Sequence, residues 1–285
     1  MPADLTSFTL RLLSGALLAT LAFSPKAQAE TALERGQYLM ETIAACGNCH
    51  TQQTPEGPLP GMALAGGMEI AFPGQFTAYV PNITPDVKTG VGSWSEEELI
   101  RAIREGIRPD GSLIGPPMPI HLYRGISDED AKALVAYLRS VPAIENEVPA
   151  SRYDIPLPPS YGPPVGAVAS VDPADPVAYG AYLAGPVGHC IECHSPPGEH
   201  GPDWEHQTGA GGFTFPGPWG ESVSANITPT GLADWSDEQI KAVVRTGVRP
   251  DGSRLLPPMG VHYYAGIRES DMDAIVAYLR SLPPL

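Results

Sequence analysis

The chain has 285 residues, with 17 Lys or Arg against 32 Asp or Glu, so its formal net charge is −15. Such an acidic balance argues against a nucleic-acid-binding protein and against attachment to anionic lipid headgroups. Gly and Pro number 31 and 33, more than a fifth of the chain, so much of it is predicted to be loop. The length is sufficient for two ordinary domains.

Residues 1–29 have the pattern of a secretory signal peptide. Arg11 precedes an apolar run from Leu12 to Phe23, and Ala27-Gln-Ala29 forms a small-x-small cleavage site. The apolar run is about 12 residues long, whereas a membrane-spanning helix needs roughly 20. We therefore expect export to the periplasm and no stable membrane anchor. Retention of an uncleaved signal as an anchor is the alternative.

The first predicted helix leads into a cysteine motif. Gly36, Leu39, Met40 and Ile43 recur at three- and four-residue spacing, which is typical of one buried helix face. A glycine inside a helix costs about 1 kcal/mol relative to alanine. We therefore expect Gly36 to lie where another helix crosses closely, and the last helix of the same unit is the natural partner.

The motif that follows is Cys46-Gly-Asn-Cys49-His50, and it recurs as Cys190-Ile-Glu-Cys193-His194. Cys-x-x-Cys-His is the attachment signature of a c-type haem. Two thiols three positions apart can each add to one vinyl group of a porphyrin, and the histidine binds the iron as its proximal axial ligand. A redox pair or half of a zinc site is the alternative. Because both copies end in His and use all four cysteines, we predict two covalently bound haems.

The repetition extends through the rest of the chain. The matching segments are Asn82-Ile-Thr-Pro85 with Asn226-Ile-Thr-Pro229, Trp94-Ser-Glu-Glu97 with Trp235-Ser-Asp-Glu238, Arg108-Pro-Asp-Gly111 with Arg249-Pro-Asp-Gly252, and Pro116-Pro-Met118 with Pro257-Pro-Met259. The offset is 144 residues at first and 141 later, which indicates a duplicated unit. The predicted fold is all-α, with tandem haem domains at 30–143 and 173–285 joined by a Pro-rich linker at 144–172.

Two further helix starts are predicted in the first unit. Ser95 with Glu98 three residues later forms a capping box, and Ser127 is an N-cap followed by acidic residues. Between His50 and Ser95 the Gly- and Pro-rich chain predicts loop, with no convincing strand pattern. The prolines of the linker predict an extended, stiff connector over the surface.

Met118 and Met259 are the candidates for the sixth iron ligand. Each follows Pro-Pro at the same place in its unit, and prolines fix the backbone of such a strap. A thioether is a soft ligand, and His/Met ligation raises the reduction potential. The alternatives are that these methionines fill gaps in the core or that His121 and His262, three residues further on, bind the iron instead.

Polar and aromatic residues that recur in both units are candidates for contact with the haem propionates. Ordinary loop packing is the alternative for each of them, and Asn82 or Asn226 could equally pin its loop. The candidates are Asn82, Asn226, Trp94, Trp235, Arg108 and Arg249.

These motifs together resemble class I c-type cytochromes, specifically the multi-domain cytochrome c subunits of periplasmic dehydrogenases. The resemblance covers both units and implies a small helical fold around each haem, His/Met ligation and one-electron transfer. Its implied redox partners are an upstream flavin, quinoprotein or molybdenum dehydrogenase and a downstream oxidase or cytochrome of the respiratory chain. The sequence departs from three-haem members, which carry another haem domain and often a membrane-anchoring tail.

An electron carrier is therefore the predicted function, rather than an enzyme in its own right. The alternative is a haem enzyme, such as a dihaem peroxidase or a sulfur-compound-oxidising cytochrome. A peroxidase needs one open iron site, and cysteine ligation needs a spare Cys, whereas both units carry the same Met and no Cys is left over. Glu192 inside the second motif predicts a lower potential for that haem if its carboxylate is charged, so electrons would pass towards the first unit.

Overall fold

A computed structural model of the chain describes residue 1 and residues 29–54, 57–198, 201–217 and 219–285. Residues 31–285 form one compact unit. The predicted signal peptide lies almost entirely outside the described residues. Within the part that the structure describes, no helix combines the length and the apolar character needed to cross a membrane.

Five helices build the first repeat: α1 (Ala32–Glu41), α2 (Gly47–His50), α3 (Glu96–Glu105), α4 (Ile120–Tyr123) and α5 (Asp128–Leu138). The first residues of α3 and α5 follow N-cap serines. The Ser95 side chain accepts a hydrogen bond from the Glu98 backbone, with the reciprocal bond completing the capping box, and Ser127 accepts from Asp130 at the start of α5. Both predicted N-caps are confirmed. α3 ends at Gly106, whose left-handed backbone (φ 67°) suits glycine.

The second repeat has the same order of helices: α6 (Pro176–Tyr182), α7 (Cys190–Cys193), α8 (Asp237–Thr246), α9 (Val261–Tyr264) and α10 (Glu269–Ser281). A π-helical turn, Leu183–Val187, extends α6 and contains Pro186. Ser236 and Gln239 form the capping box of α8, as Ser95 and Glu98 do for α3.

Short strands interrupt the loops of both repeats. They are β1 (Gln53–Thr54), β2 (Gly57–Pro58), β3 (Glu69–Phe72), β4 (Phe76–Tyr79), β5 (Arg152–Tyr153), β6 (Pro197–Gly198), β7 (Gly201–Pro202), β8 (Thr214–Gly217) and β9 (Gly220–Val223). Pairing is antiparallel throughout, with the order β3-β4-β5 in the three-stranded sheet. The expectation of strand-free loops was therefore wrong, because strands of two to four residues are too short to show an alternating pattern.

The first and last helices of each repeat cross at a glycine. A side chain on Gly36 would collide with the backbone carbonyl of Ala133 in α5, and one on Gly180 would collide with that of Ala274 in α10. Both glycines are buried, as are the apolar side chains around each crossing. The predicted helix crossing is confirmed and occurs in both repeats.

The linker lies on the first repeat. β5 pairs with β4, and the Tyr153 ring occupies the space above Gly115. Further on, the Tyr161 ring packs against Gly106, and its hydroxyl donates a hydrogen bond to the carbonyl of Ile114 at 2.7 Å. The linker therefore covers the segment that leads to Met118.

The two repeats meet through reciprocal hydrogen bonds. The Tyr38 hydroxyl of α1 donates to Asp271 of α10 at 2.6 Å, and the Tyr182 hydroxyl of α6 donates to Asp130 of α5 at 2.7 Å. Both aspartates are buried. Because the partners correspond in the two repeats, the interface has approximate two-fold symmetry.

Candidate haem-binding site

One helical turn presents each cysteine motif. The backbone amide of His50 donates to the carbonyl of Cys46 at 2.9 Å, and His194 donates to Cys190 at 3.0 Å. The turn brings the two thiols of a motif to the same side of the chain, as attachment to a single porphyrin requires. All four cysteines are free of disulfides. Burial raises the pKa of the Cys46 thiol to about 12 and that of Cys190 to about 11, so the thiols are protonated at neutral pH.

The residue before each motif has a left-handed backbone. It is Ala45 (φ 46°) in the first repeat and His189 (φ 42°) in the second. This conformation is uncommon for residues other than glycine, and its recurrence shows that both repeats need the same sharp turn into the motif.

Both motif histidines are oriented by a backbone carbonyl. The Nδ1 atom of His50 lies 2.9 Å from the carbonyl oxygen of Pro81, and that of His194 lies 2.7 Å from Ala225. Burial lowers the pKa of both imidazoles, which keeps the rings neutral. A neutral ring that donates from Nδ1 leaves the Nε2 lone pair available to a metal ion. These residues fit a haem iron.

Met118 and Met259 occupy equivalent positions, two residues before the first residue of α4 and of α9. Both side chains are partly buried. Met118 packs against the core, and Met259 lines an open cavity of about 190 Å³ together with Gly247, Leu255 and Leu256. The corresponding surface of the first repeat is the one that Tyr153 and Tyr161 cover. The Pro-Pro-Met strap is thus covered by the linker in the first repeat, and it borders an open cavity in the second repeat.

The competing histidines lie at the surface. His121 and His262 are both exposed. The His121 ring makes edge contacts with Tyr161 and Trp204, at centroid distances of 5.1 and 6.1 Å. The His262 ring packs on Tyr263 at 4.7 Å.

The two candidate asparagines pin loops. The Asn82 side-chain amide donates to Thr89 and to the carbonyl of Ile144, and its oxygen accepts from the backbone and hydroxyl of Thr84. Asn226 makes the matching bonds to Thr228 and to Leu285. Every hydrogen-bonding position of Asn82 is therefore engaged within the protein, which favours the loop role over propionate binding.

The remaining candidates for propionate contact also make contacts within their own repeats. The Arg108 guanidinium donates to the carbonyl of Leu113 at 2.6 Å, and Arg249 donates to that of Arg254 at 3.1 Å. Trp94 and Trp235 are partly buried against the core. The backbone carbonyl of each Trp accepts a hydrogen bond from an arginine of its repeat's last helical segment, Arg139 or Arg280.

One tyrosine of each repeat lies near residues of both cysteine motifs. Burial and the neighbouring Cys46, Cys49 and Glu192 raise the pKa of the Tyr123 hydroxyl well above its usual value. Burial, both thiols of the second motif and Cys49 do the same for Tyr264. Sequence reasoning missed these tyrosines, although their offset of 141 residues marks them as corresponding positions.

Glu192 lies in the same region. Burial raises the pKa of its carboxyl to about 8, so this side chain is largely uncharged at pH 7. The predicted order of haem potentials depended on a charged carboxylate. It therefore loses its electrostatic basis at neutral pH.

The chain is similar to known proteins with cytochrome c domains. Residues 31–138 match the family model described as cytochrome c oxidase, cbb3-type, subunit III. The chain is 34% identical over 278 residues to the alcohol dehydrogenase (quinone), cytochrome c subunit, of Gluconobacter oxydans (strain 621H), covering 89% of this chain and 55% of the relative. It is 31% identical over 277 residues to the fructose dehydrogenase cytochrome subunit of Gluconobacter japonicus, covering 91% and 54%.

A third relative has nearly the same extent as the chain. The "Diheme cytochrome c-type" protein of Cereibacter sphaeroides is 31% identical over 258 residues, which cover 84% of this chain and 82% of the relative. The chain therefore belongs to the c-type cytochromes, whose prosthetic group is a covalently bound haem. It spans about half the length of the two dehydrogenase subunits.

Proposed function

We propose that the protein holds two c-type haems, one in each repeat. Cys46 and Cys49 would attach the first, and Cys190 and Cys193 the second. His50 and His194 would be the proximal ligands, with Met118 and Met259 as the distal ligands. The recurrence of the whole set in register supports this assignment, as do the two carbonyl-oriented histidines.

When bound, haem supplies reversible one-electron chemistry. The chain's own residues hold its ligands in place. The carbonyls of Pro81 and Ala225 orient the two imidazoles, and each methionine lies between a Pro-Pro pair and a helix start. Rigid ligands reduce the structural change that accompanies oxidation and reduction.

The function that this arrangement supports best is electron transfer between proteins in the periplasm. We propose that the protein accepts single electrons from a dehydrogenase and delivers them to an oxidase or another cytochrome of the respiratory chain. The observation that carries the proposal is the pair of Cys-x-x-Cys-His motifs, which both lie in one compact unit. The names of the relatives, which are cytochrome subunits of dehydrogenases, point in the same direction.

Catalysis by the haems themselves is less well supported. A peroxidase or a sulfur-compound-oxidising cytochrome needs an open iron position or a cysteine ligand beyond the attachment pairs. Each repeat instead offers a methionine in the same position before a helix. Failure of the oxidised protein to form a high-spin haem, and of the reduced protein to bind carbon monoxide, would agree with electron transfer. Ready binding of carbon monoxide would contradict it.

Haem attachment is tested by removing one cysteine pair at a time. The Cys46→Ala/Cys49→Ala and Cys190→Ala/Cys193→Ala variants are each expected to keep half of the covalent haem, measured as the pyridine haemochrome after denaturation. Full haem content in either variant would contradict two attachment sites. N-terminal sequencing of the periplasmic protein tests the export proposal, with a mature terminus at Glu30 expected.

Methionine ligation is tested by the near-infrared sulfur-to-iron band of the oxidised protein. Met118→Ala and Met259→Ala are each expected to remove half of the band. Met62→Ala is the matched control, because Met62 lies in a loop outside both straps, and it should leave the band unchanged. If the oxidised parent protein lacked the band, His121 and His262 would become the ligand candidates. A band that survived both strap substitutions would indicate another methionine ligand.

A further inference from the structure

The first haem motif makes a direct hydrogen bond to the methionine strap of the other repeat. The side-chain amide of Asn48, between Cys46 and Cys49, donates from Nδ2 to the backbone carbonyl of Pro258 at 3.2 Å. Pro258 immediately precedes Met259. This bond therefore links the attachment turn of the first repeat to the proposed distal ligand of the second.

The same two segments are in contact on either side of this bond. A Cβ built on Gly260 would lie 3.6 Å from the Cγ and Nδ2 atoms of Asn48. A Cβ built on Gly47 would lie 2.5 Å from the Tyr263 hydroxyl oxygen, so this tyrosine packs directly on the glycine. The Asn48 bond thus lies within a packed contact between α2 and the segment from Pro258 to α9.

The opposite contact differs chemically. Glu192 corresponds to Asn48, and Leu122 corresponds to Tyr263. The Glu192 carboxyl group lies beside its own repeat, with an oxygen atom 4.0 Å from the Nδ1 atom of His189. Among the described residues, no side chain of α7 donates a hydrogen bond to the first strap. Among the described residues, the bond from Asn48 to the strap of the other repeat therefore has no counterpart from α7 to the strap of the first repeat.

The strap needs such a link because of its composition. Pro257 and Pro258 have no backbone N–H group. Their carbonyl oxygens are therefore the backbone atoms through which other residues can form hydrogen bonds to this part of the strap. The Met259 side of the strap borders the open cavity rather than the linker. A hydrogen bond from the other repeat supplies the restraint that the linker supplies around Met118.

We propose that Asn48 is a positioning residue for Met259, acting across the interface between the repeats. Its amide holds the Pro258 carbonyl and so restrains the thioether relative to the second iron. The inference rests on the proposed His194/Met259 ligation. It also predicts that a residue inside the first haem motif affects how firmly Met259 binds the iron of the second haem.

The test uses the full-length haem-loaded protein and isolates one sulfur-to-iron band at a time. In a Met118→Ala background the remaining band reports Met259 alone. Adding Asn48→Leu, which keeps the branching of the side chain and removes the donor, is expected to let imidazole displace Met259 at about fivefold lower concentration, the effect of one lost hydrogen bond. In a Met259→Ala background, Asn48→Leu should leave the displacement of Met118 unchanged.

Asn48→Ala serves as a second variant, since it removes the same donor without placing a branched apolar side chain next to the cysteines. Haem content and far-UV circular dichroism establish that each variant is loaded and folded. Unchanged displacement of Met259 in both Asn48 variants would overturn the proposal. So would an equal effect on Met118, because Asn48 would then act on its own repeat. Failure of the proposed methionine ligation is distinguishable, since the band would then be absent from the unsubstituted protein or would keep its full intensity in the Met118→Ala and Met259→Ala parents.

Discussion

The two repeats share their internal framework and differ in what surrounds it. Each has a capping box on its middle helix, a glycine at its helix crossing, and a carbonyl that orients the motif histidine. The strap around Met118 lies under the linker, whereas Met259 borders an open cavity. Haem attachment is thus encoded by short local motifs. Access to the distal ligand depends on segments that are not repeated.

The largest effect is expected at the shared helix crossings. Gly36→Ala and Gly180→Ala each place a methyl group against a backbone carbonyl, that of Ala133 or Ala274, so the helices must separate. We expect each change to lower the free energy of unfolding by about 3 kcal/mol. Denaturant titration checks this.

Gly166→Ala is the control for the crossing variants, since a Cβ at Gly166 has no heavy atom within 4 Å. It should alter stability by less than about 0.5 kcal/mol. Markedly unequal losses for Gly36 and Gly180 would show that the two crossings are not equivalent.

Tyr161→Ala should make the covered repeat resemble the open one. The substitution removes the ring packed on Gly106 and the hydrogen bond to Ile114, so we expect a loss of about 2.5 kcal/mol. Imidazole should then displace Met118 as readily as Met259, as followed by the sulfur-to-iron band. Tyr161→Phe keeps the ring and should leave Met118 protected. Unchanged displacement in Tyr161→Ala would argue that the linker does not control access.

His189→Ala should remove a pH dependence that only the second repeat has. Burial lowers the pKa of His189 to about 4. The unfolded chain therefore binds a proton below pH 6.5 that the folded protein binds only near pH 4. Stability should fall as the pH is lowered through this window, by about 2 kcal/mol between pH 6.5 and 5. The groups facing the ring include the backbone of Ala44, the Glu192 carboxyl at 4.0 Å and the Tyr123 ring at 5.8 Å.

The position equivalent to His189 holds Ala45 in the same left-handed conformation, so alanine is compatible with the turn. Unfolding titrations at pH 6.5 and 5 should show a smaller difference for His189→Ala than for the parent protein. His206→Ala is the control, because the His206 side chain is 71% exposed. An unchanged pH dependence in His189→Ala would assign the acid sensitivity to another group.

The smallest effects are expected at the reciprocal tyrosines. Tyr38→Phe removes the 2.6 Å hydrogen bond to the buried Asp271, which keeps the longer bond from the Ser270 hydroxyl at 3.3 Å, and we expect a cost of about 1.5 kcal/mol. Tyr182→Phe should cost only about 0.5 kcal/mol, because Asp130 keeps both hydrogen bonds from Arg35, at 2.8 and 3.0 Å. Denaturant titration of both variants checks the order. The reverse order would mean that Arg35 does not compensate.

Much of the helical framework could be predicted from local sequence. The caps at Ser95 and Ser127, the crossing at Gly36 and the two cysteine motifs all depend on residues within a few positions of one another, or on the register of the repeat. Local chemistry is sufficient for such features.

The interface and the hairpins could not be predicted in this way. Tyr38 and Asp271 are 233 positions apart, and no local pattern marks them as partners. The three-stranded sheet gains β5 from the linker, whose prolines predict only an extended chain. The role of Asn82 could not be predicted either. Its recurrence as Asn226 marked it as a functional or structural position, but the sequence could not distinguish hydrogen bonding within the loop from contact with a haem.

The reciprocal contacts between Tyr38 and Asp271 and between Tyr182 and Asp130 are those of an isologous homodimer, in which each subunit offers the same surface to its twin. Joining the subunits in one chain makes association independent of protein concentration. It also frees the two faces to evolve separately, as the pairs Asn48/Glu192 and Ala45/His189 show. The two halves of a single chain can therefore become unequal, whereas the two subunits of a symmetric homodimer remain identical.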